Sequence, residues 1–147
     1  MADQRSRRYF DSDVIIHLIE NHPDHAATIE MLIEQARDGE WRLIVSAISM
    51  VEVTRSPNRP VDLARFARIH SFFESPFILV GDVSVFLASQ ARDLIYNHPW
   101  LYPMNPIRLA AAIDASCEMG YTCDRELIRR LDGEYGLRIM APATMPI

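Results

Sequence analysis

Lysine is absent from this 147-residue chain, and all 15 of its cationic side chains are arginine. Chemistry that needs an amine, whether a Schiff base, a lysine nucleophile or the lysine of a phosphate loop, is thereby excluded. The planar guanidinium fork remains as the basic device for gripping phosphate. Cysteine is nearly as scarce. Cys117 and Cys123 are too few for a disulfide framework and lack paired metal-ligand spacing, so the expectation is two reduced thiols in or near the core with no chemical role. No apolar run reaches the roughly 18 residues of a spanning helix. The opening segment MADQRSRR lacks the apolar core of a signal peptide. A cytoplasmic location without membrane contact is the corresponding expectation. An excess of positive charge is missing too: a net charge of −5 argues against holding nucleic acid by bulk attraction alone.

What is present matches a soluble globular domain, with 49% hydrophobic and 24% charged residues and a length that suits one core. Short apolar or β-branched runs recur as RYF before Asp11, RLIVSA at 42–47, FILV at 77–80, GYTC at 120–123 and LRIM at 137–140. Helical patterns lie between them, over 24–37, 61–73, 83–96, 106–118 and 125–131. In the first of these, Ile29, Leu32, Ile33 and Ala36 share a face, and Asp24 is placed as the N-cap. Short strands alternating with helices predict an α/β domain with a mainly parallel sheet. Such sheets bind ligands beyond the carboxyl ends of their strands.

Polar groups stand at those ends. Asp11 follows the first strand, and Glu52 follows the second on a short helix with Ile48 and Val51. Asn105 opens NPIRLAAAID with Pro106 at the favoured first helical position, and Asp124 comes directly after YTC. A single aspartate in such a place commonly just caps the next helix. Four such groups on one parallel sheet should converge instead. Clustered carboxylates repel unless a cation sits among them, and hard oxygen ligands suit Mg²⁺ or Mn²⁺, which polarise a phosphoryl oxygen. The implied chemistry is hydrolysis of a phosphate ester.

The strings YFDSDVII, VSAISMVEV, NPIRLAAAI and YTCDRELI resemble the four signatures of PIN domains, small metal-dependent nucleases, and LRIMAP is similar to their final strand. The resemblance runs from Tyr9 to Pro142, and it implies a single PIN-like domain over residues 1–147. The implied fold is an α/β three-layer sandwich whose central, mainly parallel sheet of about five strands is flanked by helices. By this resemblance Asp11, Glu52 and Asp124 match the family's first, second and fourth acids. With Asn105 as a neutral fourth ligand they form the implied catalytic and metal-binding set for Mg²⁺ or Mn²⁺. Ser12 and Thr122 match the small hydroxyl residues that line the site. The implied activity is RNA phosphodiester hydrolysis in the bacterial or archaeal cytosol. Either Glu52 or Asp124 would position the attacking water. Many such proteins are VapC-like toxins restrained by a small antitoxin, and family members commonly form homodimers.

The pattern departs from the family at its third acid, where Asn105 keeps an oxygen but loses a charge, which predicts weaker metal binding. Arg108, three residues on and on the same helix face, takes a place often held by histidine. Two roles are open to it: holding the scissile phosphate, or pairing with Asp124 and Asp11 in place of the metal. The second role would make the chain a PIN-like module that binds RNA or protein without cutting. Asp13 is the candidate compensating acid. Asp114 is turned about half-way round the helix from Asn105, and Asp82 and Asp93 have no clear route to the site. Arg55, Arg59 and Arg125 follow the acids and are candidates to grip an RNA backbone. The string Asp11-Ser12-Asp13 also resembles the start of haloacid-dehalogenase-type phosphatases. Those enzymes need a Gly-Thr-like turn and a lysine, so this reading ranks third. His22 and His25 have a zinc-like spacing, but no second pair follows in sequence, and a helix-capping turn around Pro23 is the better account. The stripe Phe66, Ile69, Phe72 and Phe73 reads as core.

Overall fold

Tyr9 and Phe10 are neighbours in β1 (Arg7–Phe10) yet bury in different halves of the core, and Leu43 and Ile44 in β2 (Arg42–Ser46) do the same. This period of two is what a strand covered on both faces requires. The structure, a computed structural model, describes residues 3–55, 62–101 and 104–142, so Arg59 and the Pro57/Pro60 loop lie outside the described residues. With β3 (Ile78–Gly81), β4 (Met119–Tyr121) and β5 (Arg138–Met140), the strands form one sheet in the order β3-β2-β1-β4-β5, parallel throughout.

One face carries α1 (Ser12–Ile19), α2 (Ala26–Arg37), α3 (Ala47–Thr54) and α4 (Leu63–Phe73), whose apolar residues meet Phe10, Leu43, Val45 and Ile78. The other carries α5 (Val85–Asn97), α6 (Met104–Asp114) and α7 (Arg125–Leu131) against Tyr9, Ile44, Leu137 and Ile139. The three-layer α/β sandwich with a five-stranded parallel sheet is thus as expected. Ile69, Phe72 and Phe73 enter the core, whereas Phe66 of the same stripe is 56% exposed. Among the described residues, no helix is long and apolar enough to cross a membrane.

The strand order fixes where a site can form. The chain winds from β1 to β3 on one side, then returns to add β4 and β5 on the other, so the crevice opens past the ends of β1 and β4. The Asp11 N–H donates to the Tyr121 carbonyl at 3.0 Å and joins the two strand ends there.

Two local expectations need correction. α6 spans Met104–Asp114 rather than 106–118, so Pro106 is its third residue. That position is still in the first turn, where backbone N–H groups have no intrahelical acceptor, so the proline forfeits no bond. The N-cap of α2 is His25, not Asp24, and it makes no side-chain capping bond. Asp24 instead donates its N–H to His22 Nδ1 at 3.1 Å.

Candidate active site

Asp11 is both a helix cap and a member of the crevice. Its Oδ1 accepts the Ser12 N–H at 2.9 Å at the start of α1, and its Oδ2 accepts the Thr122 hydroxyl at 2.8 Å. Asp124 divides its oxygens similarly. Oδ1 caps α7 by accepting the N–H groups of Glu126 and Leu127 at 3.0 and 3.2 Å, and Oδ2 faces the Asn105 amide at 3.4 Å. The ordinary capping role therefore holds beside the role in the crevice: Asp11 uses Oδ1 for the cap and Oδ2 for Thr122, while Asp124 keeps Oδ2 for the crevice. Glu52 reaches in from α3, its Oε1 accepting the Ser12 hydroxyl at 2.8 Å. Ser12 also meets the fully buried Ser49 hydroxyl at 2.7 Å. Ser49 went unnoticed in the sequence, although it lies three residues before Glu52 on the same helix and so on the same face.

Arg108 fills the space between these groups. Its Nε lies 2.8 Å from Asp11 Oδ1, an ion-pair contact off the N–H axis, so this nitrogen makes no directed hydrogen bond. Its Nη1 donates to Glu52 and its Nη2 to the Asn105 side-chain oxygen. The expected pairing with Asp11 is present, whereas Glu52 takes the place expected for Asp124. Burial alone would pull the Arg108 pKa down, but Asp11 and Glu52 outweigh it and push it up. Burial raises the Asp11 pKa against the pull of Arg108, Thr122 and the Ser12 N–H.

Asp13 leans toward the same neighbourhood. Its Oδ2 accepts the Cys123 N–H at 3.0 Å and lies 3.4 Å from the Thr122 hydroxyl, while its Oδ1 is buried without a hydrogen-bond partner among the described residues. Burial, then the charge of Asp11, lifts its pKa from 3.8 to about 7. Asp82, Asp93 and Asp114 are exposed, with no contact to this cluster among the described residues. Arg55 and Arg125 are exposed at the ends of α3 and α7 and make no ion pair among the described residues. Arg129 and Arg130 are committed to Glu126.

The donor set suits a hard divalent cation: carboxylate oxygens of Asp11, Glu52 and Asp124, the carboxamide oxygen of Asn105, and an orphaned buried oxygen on Asp13. Three acids against one guanidinium leave a net negative charge to attract it. Arg108 in this rotamer and such an ion would exclude one another.

No family model and no curated protein sequence matches the chain. Solved structures do. The crystal structure of VapC20 from Mycobacterium tuberculosis, a toxin that cleaves the sarcin-ricin loop, matches with a TM-score of 0.62 at 12% identity over 87% of this chain and 92% of that one. VapBC2 from Rickettsia felis, bound to a DNA fragment from its promoter, matches with a TM-score of 0.62 at 14% identity over 90% of this chain and 96% of that one. The fold is therefore the PIN-like sandwich of VapC toxins.

Proposed function

We propose that this chain is a VapC-like ribonuclease, the toxin of a toxin–antitoxin pair, hydrolysing RNA phosphodiesters with Mg²⁺ or Mn²⁺. The carrying observation is the convergence of Asp11, Glu52, Asn105 and Asp124 at the one place in the sheet where the winding reverses. Asp11, Glu52 and Asp124, with Asn105 as a neutral ligand, would hold the ion. When bound, it polarises the phosphoryl oxygen and offsets the charge that builds up in hydrolysis. Ser12 and Thr122 hold Glu52 and Asp11 in position through their hydroxyls. Arg108, released from Asp11 and Glu52, grips the scissile phosphate with its fork. Arg55 and Arg125, exposed at the ends of α3 and α7 and without an ion pair among the described residues, bind the RNA backbone. A small antitoxin that covers the crevice and a second copy of the chain are the partners this reading implies.

One observation favours a second reading. Arg108 already bridges Asp11, Glu52 and Asn105, so the guanidinium can serve as a built-in cation in a module that binds RNA or protein without cutting it. The phosphatase reading gains no support, since a lysine-free site on a VapC-like sheet lacks that chemistry's phosphate-holding amine.

Cleavage of a panel of structured and single-stranded RNAs with Mg²⁺ or Mn²⁺, beside EDTA and an Asp11→Asn variant, separates the two. The nuclease reading expects cleavage that EDTA abolishes and that Asp11→Asn lowers by about a hundredfold or more. No cleavage together with no Mn²⁺ binding by the folded protein would transfer the conclusion to the binding module.

A further inference from the structure

One turn along α1 from Asp13, His17 faces Cys123, and its Nδ1 lies 3.5 Å from the sulfur across 106 residues of sequence. The turn between α1 and α2 closes over this pair. Ring centroids stand 4.4 Å apart for His17 and His22, 4.9 Å for His17 and His25, and 4.7 Å for His22 and His25. A ligand atom from each of His17, His25 and Cys123 lies within 4.8 Å of the other two. Independently, His25 Nδ1 is buried with no hydrogen-bond partner among the described residues, although His25 stands at a helix N-cap. Buried polar atoms are normally paired, so this nitrogen is open to a ligand.

The chemistry of the set is selective. Imidazole and thiolate suit Zn²⁺ and other borderline ions, whereas Mg²⁺ and Mn²⁺ prefer the oxygens of the carboxylate cleft. Tetrahedral Zn²⁺, with bonds of about 2.0 Å to nitrogen and about 2.3 Å to sulfur, holds those two ligands roughly 3.6 Å apart. The 3.5 Å between His17 Nδ1 and Cys123 Sγ already meets that separation. The His25 ligand atom lies within 4.8 Å of the other two, and its ring, stacked on His17 with 5° between the planes, has to turn so that both imidazoles point at one ion.

We propose that His17, His25 and Cys123 bind one Zn²⁺ ion, with the fourth position left to His22 or water. Binding displaces the thiol proton to solvent, as ligation of any cysteine does. The ion ties the α1–α2 turn to the β4–α7 turn, which carries Thr122 and Asp124. It is a brace behind the carboxylate cleft and does not depend on what that cleft does. The histidine pair spaced as in a zinc motif thus finds its remaining ligands through the fold, from a preceding helix and a distant turn.

The test uses the full-length, reduced, metal-stripped protein with Co²⁺ as the probe. One Co²⁺ per chain is expected, with thiolate-to-cobalt charge-transfer absorption and strong visible bands of a tetrahedral ion. Zn²⁺ should bleach these bands and raise Tm, and excess Mg²⁺ should do neither. Cys123→Ser should remove the charge-transfer band, His25→Gln should weaken Co²⁺ binding about tenfold or more, and Cys117→Ser should change nothing. Absence of the band in the folded wild-type protein at saturating Co²⁺ overturns the proposal, whatever the variants do. So does a band lost in Cys117→Ser and kept in Cys123→Ser, or one displaced by Mg²⁺, which would place the ion among the carboxylates.

Discussion

Thr122, Cys123 and Asp124 are consecutive residues that serve two neighbourhoods of opposite chemical character. The Thr122 hydroxyl and the Asp124 carboxylate join a cleft of hard oxygens in which a guanidinium already balances part of the charge. The Cys123 sulfur meets the His17 imidazole instead, in a cluster where one buried nitrogen has no hydrogen-bond partner among the described residues. In the cleft a guanidinium lies between the acids, so an ion entering there would have to displace Arg108; in the histidine–cysteine cluster the Cys123–His17 hydrogen bond would have to give way instead. The Cys123 N–H donates to Asp13 and adds a hydrogen bond between the two neighbourhoods.

The largest expected effect breaks the internal compensation of the cleft. Arg108→Met leaves the carboxylates of Asp11 and Glu52 without their cation, and because Arg108 and Glu52 are only partly buried the loss should be about 1 to 3 kcal/mol. Urea unfolding in EDTA should show that loss, and Mn²⁺ should restore much of it. Equal stability of variant and wild type in EDTA would mean that the cleft needs no internal cation and that the contrast drawn above is false.

An intermediate effect concerns pH. Asp13 has a folded-state pKa of about 7 against an ordinary 3.8, so between those values the folded chain holds a proton that the unfolded chain releases. Burial and the neighbouring charge of Asp11 favour its protonated form over its charged form. Stability in EDTA should therefore fall as pH rises through this window and level off above it, and Asp13→Asn should flatten that part of the profile. A profile of unchanged slope in the variant would show that Asp13 is not the group responsible.

The smallest effect tests the rim. Arg55→Ala should weaken RNA binding modestly and reduce the salt dependence of the affinity by about one counterion. Filter binding at several salt concentrations measures both, and unchanged affinity would remove Arg55 from the interface.

Much of this was legible from local pattern. The continuous apolar runs in YF and RLIVS mark strands covered on both faces, and the helical spacing of Ile29, Leu32, Ile33 and Ala36 marks a core-facing helix. Asp11 and Asp124 could be found because each lies at a strand end and begins a helix, a junction that leaves its own signal in the sequence. Helix ends were less legible. Asp24 has the right chemistry for an N-cap, but a bond from its own N–H to His22 draws it into the preceding turn and leaves His25 at the cap. The partner of Arg108 was beyond local pattern as well, because whether Glu52 or Asp124 lies nearer depends on how α3 and α7 tilt over the sheet.

The sequence by itself determined the order of strands and helices, which faces are apolar, and which residues stand at the strand ends. Each of these follows from periodicity and turn chemistry within a few residues. Only the tertiary structure decided that Arg108 spans Asp11 and Glu52, that Asp13 is buried deeply enough to hold its proton, and that His17 meets Cys123. Those outcomes depend on side chains brought together across 56 to 110 residues by the parallel sheet. A carboxylate's charge and a thiol's partner are set by such neighbours, and no stretch of local sequence contains them.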